Sequence, residues 1–151
     1  MRKVGLALAL SLSLGFAHEH MQESNLTFKQ VMQMVNMSAI KMLQGFLLNN
    51  DGLIVEGAKE IAEHPMPQGG PLRYIDPSKR EEFIRLMPTF ERQVHGGARD
   101  VIRFIREGKK DEAFKAYTQM ILGCMACHEL IRDRIRGSLN YLRQKDSYSQ
   151  R

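Results

Sequence analysis

From Phe28 to Ile135, apolar residues recur largely at alternating steps of four and three, a period that helices satisfy and strands do not. Phe28, Met32, Val35, Ala39, Met42 and Phe46 mark the inward face of a first helix between Thr27 and Leu48. Asn49-Asn50-Asp51-Gly52 is turn chemistry, and Ile54, Ala58 and Ile61 give a second, shorter face ending near His64. The stretch His64-Pro65-Met66-Pro67-Gln68-Gly69-Gly70-Pro71 continues no helix, because proline lacks an amide donor and clashes with the preceding turn. A loop to about Asp76 is expected. Ser78 and Glu81 read as a capping box that opens a third helix, with Phe83, Leu86 or Met87, Phe90, Val94, Val101 and Ile105 inward and a bend at Pro88. Gly108 closes it. A fourth helix carries Ala113, Tyr117, Met120, Ile121, Cys124, Cys127, His128, Ile131 and Ile135 on one stripe, and the tail from Ser138 onward is polar. Two short connections and one longer one predict an all-α fold, an antiparallel up-down-up-down four-helix bundle.

The first residues belong to something else. Arg2 and Lys3 precede the apolar run Val4 to Leu14, and Gly15-Phe16-Ala17 supplies the small residues of a cleavage site. Residues 1–17 read as a signal peptide and 18–151 as one domain. The run is shorter than the ~20 residues a spanning helix needs, so no membrane insertion is expected after cleavage, and the mature chain is expected to be periplasmic. Losing Arg2 and Lys3 lowers the net charge from +5 to +3. That excess is spread along the chain without a run of five or six basic residues, which disfavours nucleic acid as a partner. Arg132, Arg134 and Arg136 form the densest basic cluster, at a helix end whose dipole they complement.

Only two cysteines occur, in Cys124-Met125-Ala126-Cys127, and His128 follows at once. This is C-x-x-C-H, the attachment signature of a covalent c-type haem. Each thiol adds to one vinyl group of the porphyrin, and the next histidine is then held under the iron as an axial ligand. A thioredoxin-like motif needs a βαβ context that the helical flanks do not offer. A zinc site needs four ligands, and no second Cys or His pair has suitable spacing. A plain disulfide would leave His128 a coincidence. One covalent haem c on an exported chain is the expectation.

An export signal, four helices and a C-x-x-C-H near the end of the last one resemble the class II c-type cytochromes, the cytochrome c-prime family. The resemblance rests on Cys124, Cys127 and His128, and on Arg132, where the family commonly has arginine or lysine near the haem's proximal side. It covers essentially all of the mature chain. The methionine-rich first helix and Pro88 depart from the family pattern. The resemblance implies electron transfer with redox partner proteins, no enzymatic activity, and a homodimer of the kind many members form. The family also contains five-coordinate members that bind nitric oxide or carbon monoxide, and low-spin members in which a first-helix methionine completes the coordination.

Met32 is the expected sixth ligand, since it lies on the inward stripe one turn into the first helix, which an antiparallel bundle sets opposite His128. Met87 and His64 reach the same end and are the alternatives. Met42, ten residues beyond Met32 at ~1.5 Å per residue, is too far along and reads as core. Met34 and Met37 point off the stripe. His95 precedes Gly96-Gly97, which make room for a neighbour or mark a helix irregularity.

Overall fold

A computed structural model of the chain describes residues 24–131, and its regular elements are all helices. They are α1 (Phe28–Leu47), α2 (Asp51–Ala62), α3 (Arg80–Glu91), α4 (Gly97–Arg106) and α5 (Lys110–Ile131). A π-helical segment, Arg92–Gly96, joins α3 to α4, and two 3-10 turns, Pro71–Tyr74 and Pro77–Lys79, lie in the long loop. The signal segment, Arg132 and the tail fall outside the described residues.

Local chemistry starts the first two helices. The Thr27 hydroxyl accepts from the Gln30 amide while the Gln30 side chain accepts from the Thr27 amide, a reciprocal box; the Asn50 side chain caps α2 by accepting from Leu53 N–H. The box expected at Ser78 and Glu81 does not form. Asp76 takes both Ser78 donors, the amide at 2.9 Å and the hydroxyl at 2.6 Å, which opens the 3-10 turn instead. With Ser78 thus occupied, α3 begins at Arg80 without a side-chain cap. Pro88 sits inside α3, and the regular ladder gives way at Arg92–Gly96, one turn further on.

α1 packs on α2, α2 on α4, and α4 on α5. Met42, Ile54, Ala58, Ile61, Ala98, Val101 and Met120 are wholly buried between them, and Tyr117 joins them while donating its hydroxyl to the Ala39 carbonyl. This core draws on the second half of α1, all of α2, α4, and the first half of α5. Lys41 bridges α1 to Glu56 and Glu60 of α2, and Ser38 donates to Glu60 beside it. Ahead of α1 the chain is strapped to the long loop: Ser24 N–H donates to the Met66 carbonyl, and Gln68 N–H to the Leu26 carbonyl.

Candidate functional site

The second half of α5 carries Cys124, Cys127 and His128. Offsets of three and four residues put all three on one helical face, and all three line one cavity of about 350 Å³. The opposite wall comes from the first half of α1, where Phe28, Met32, Val35 and Ala39, the stripe read from the sequence, face the cavity. The end of α2, the long loop, α3 and the π-helical segment supply the rest, including His64, Pro67, Phe83, Met87, Phe90 and His95. Leu86 does not line it, so Met87 is the one of that pair that turns inward. A second cavity, about 840 Å³, shares Phe28, Met32, Asn36, His128 and Ile131 with the first. Met32 and His128 thus stand where the two adjoin.

Gly123 explains how α5 comes so close. A Cβ at that position would meet the Gln93 Cβ at 2.8 Å, so only glycine lets the turn before Cys124 seat on the π-helical segment. Gly97 serves similarly, its missing Cβ falling 3.1 Å from that of Met120, whereas nothing crowds Gly96.

Both cysteines are free thiols. Burial pushes the Cys124 thiol up, and burial reinforced by Cys124 pushes Cys127 up to about 11. Both therefore stay protonated at neutral pH, unlike the depressed thiols of C-x-x-C oxidoreductases. Among the described residues no group of three or more His, Cys, Asp or Glu side chains can hold a metal ion, and no helix is long and apolar enough to cross a membrane.

The sequence placed Met32, Met87, His64, Cys124, Cys127 and His128 at one end, and the cavity brings all six together. Met42 is fully buried core, while Met34 and Met37 are exposed. Periodicity did not reveal the pairing of His64 with His95. Their Nε2 atoms lie 2.9 Å apart, His95 Nδ1 is 2.7 Å from a Glu91 carboxylate oxygen, and His64 Nδ1 is 3.1 Å from the Pro65 carbonyl. His95 is one of two buried polar residues among those described. Burial pushes its pKa down, Glu91 pulls it up, and His64 and Arg99 push it down again. Since both nitrogens of His64 are engaged, neither is offered to a ligand in the cavity.

No protein-family model, curated protein or solved structure matches this chain.

Proposed function

We propose that this chain is a periplasmic mono-haem c-type cytochrome of the class II kind, which passes single electrons between partner proteins. The observation that carries the reading is the convergence of Cys124, Cys127 and His128, from one face of α5, on a single apolar cavity that Met32 borders from α1. The residues fit the group. Two free thiols three residues apart suit two vinyl positions, an adjacent imidazole suits the iron, and the cavity lies within the ~300–1,000 Å³ range of cofactor pockets.

Haem, when bound, supplies a one-electron ferric–ferrous couple. The chain's own residues do the rest. Cys124 and Cys127 would hold the group covalently, so that it would survive unfolding and dilution. His128 would hold the iron from α5 and Met32 would offer it a thioether from α1, a neutral donor that favours the reduced state. Phe28, Val35, Phe83 and Phe90 exclude water, which limits solvent reorganisation as charge changes. In this reading the helices form an antiparallel up-down-up-down bundle, and Arg132 keeps the role near the haem that the resemblance implies.

Denaturing electrophoresis with haem staining, followed by one absorption spectrum, tests the proposal. Haem should migrate with the polypeptide, and the ferric protein should show a far-red sulfur-to-iron band. A haem-free band overturns the reading. A high-spin ferric spectrum in the wild type keeps the haem but replaces electron transfer with binding of nitric oxide or carbon monoxide.

A further inference from the structure

The hydrogen-bonded line Pro65 carbonyl, His64, His95, Glu91 has two ends, and both are acceptors. A backbone carbonyl cannot donate, so His64 Nδ1 carries a hydrogen toward Pro65 O at 3.1 Å. If Glu91 is ionised, His95 Nδ1 carries one toward its carboxylate at 2.7 Å. The central Nε2 to Nε2 contact at 2.9 Å needs one hydrogen of its own. Three bonds along two imidazoles therefore need three N–H hydrogens, where two neutral imidazoles have two. Placing the extra hydrogen on Glu91 instead gives the same total. The line closes only when it holds one proton more than two neutral histidines and a carboxylate carry.

We infer that His64, His95 and Glu91 form a proton-binding site in the wall of the haem cavity, which takes up one proton when the haem is reduced and releases it on oxidation. The inference rests on the haem reading above. Loaded, the line is neutral overall; unloaded, it carries one negative charge. Negative charge beside the cavity is favoured by ferric iron and disfavoured by ferrous iron, so the oxidised protein releases the proton at lower pH than the reduced one. In the step, one electron from a one-electron donor protein and one proton from water enter together, and both leave together. Burial of His95 keeps the site from binding its proton so tightly that it never lets go, and Glu91 opposes that effect.

Other groups face the site from each neighbouring element. Arg99 of α4 repels the extra proton. Cys124, Cys127 and His128 of α5 share the cavity wall, the two cysteines becoming neutral thioethers once haem is attached, and α1 contributes the neutral Asn36. Among the described residues, Glu91 is the only carboxylate lining that cavity.

The experiment is a midpoint-potential titration of the haem-loaded protein against pH, paired with long-range nitrogen-15 NMR of its histidines in the reduced state, with carbon monoxide added if the iron is five-coordinate. The potential should fall by about 59 mV per pH unit between the two proton affinities, the value of a tenfold change for a one-electron couple. NMR should count three N–H hydrogens on His64 and His95 below that window, or two together with a protonated Glu91. Glu91→Gln keeps an acceptor beside His95 and removes the charge, and Glu91 is half exposed, so folding is undisturbed. That variant should hold its proton at least tenfold more weakly, moving the window down by a pH unit or more. A haem-loaded protein whose potential is flat with pH, or whose window is unmoved in Glu91→Gln, overturns the inference alone. A protein without haem overturns the parent reading and the redox coupling with it.

Discussion

The two halves of this molecule are built differently from the same helices. Where the second half of α1 meets α2, α4 and the first half of α5, wholly buried aliphatic and methionine side chains fill the space. At the other half, the same α1 and α5 line a cavity whose walls include half-buried Phe28, Met32, Phe90 and Ile121, with histidines and thiols among them. Filled space stabilises through contact, whereas lined space gains its contacts only from an occupant. One half holds the fold, and the other leaves its side chains lining open space.

The largest expected effect tests that division directly. Replacing both Cys124 and Cys127 by serine should abolish covalent haem, read by haem staining after denaturing electrophoresis. Helical circular dichroism should persist, because neither residue belongs to the buried core; helicity lost along with the haem would erase the distinction. Next in size is a matched pair of truncations. Met120→Ala in the filled half should cost about 2–5 kcal/mol in urea unfolding, and Met87→Ala in the cavity wall about 1 kcal/mol. Equal costs would mean that the cavity half is as tightly made as the core.

Met32→Leu sharpens the comparison, since it conserves volume while deleting sulfur. Stability should change by less than about 1.5 kcal/mol, yet the iron should turn high-spin, bind carbon monoxide readily and lose potential, all visible by absorption spectroscopy and potentiometry. An unchanged spectrum makes Met32 a wall residue and moves the test to Met87.

The smallest effect lies in the filled half. Hydrogen bonds from Lys41 and then Ser38 hold the Glu60 carboxyl below the usual carboxylate range. Its contribution is therefore complete above the unfolded value near 4.5 and is lost as pH falls through the lower folded value. Because Glu60 is exposed, Glu60→Gln should cost only about 0.5 kcal/mol. Unfolding midpoints of variant and wild type should converge in acid; a gap that persists there would place the effect in packing and not in charge.

Much of this was legible in the sequence, for reasons that differ by residue. Helical period alone placed Phe28, Met32, Val35, Ala39 and Met42 on one face, and the rise of ~1.5 Å per residue then set Met42 apart as core, because both need only local geometry. The cluster Cys124, Cys127 and His128 is contiguous, so its convergence follows from a single helix. The capping box expected at Ser78 does not form because Asp76, two residues upstream, accepts the Ser78 N–H that the Glu81 carboxylate would have taken. His64 and His95 are separated by 31 positions, and their meeting depends on how the long loop and the π-helical segment seat together. Neither has a period to announce it.

The π-helical segment Arg92–Gly96 can also be viewed as an edit in a gene. An i to i+5 turn holds one residue more than the i to i+4 turn it replaces, so the segment amounts to a single-codon insertion in an otherwise regular helix. Deleting one codon within it would restore a plain ladder while rotating α3 by about 100° relative to α4. Phe83, Met87 and Phe90 would turn together away from the cavity, although Ala98, Val101 and Ile105 kept their places in the core. Sequences descended from this one are thus freer to exchange side chains along this stretch than to change its length.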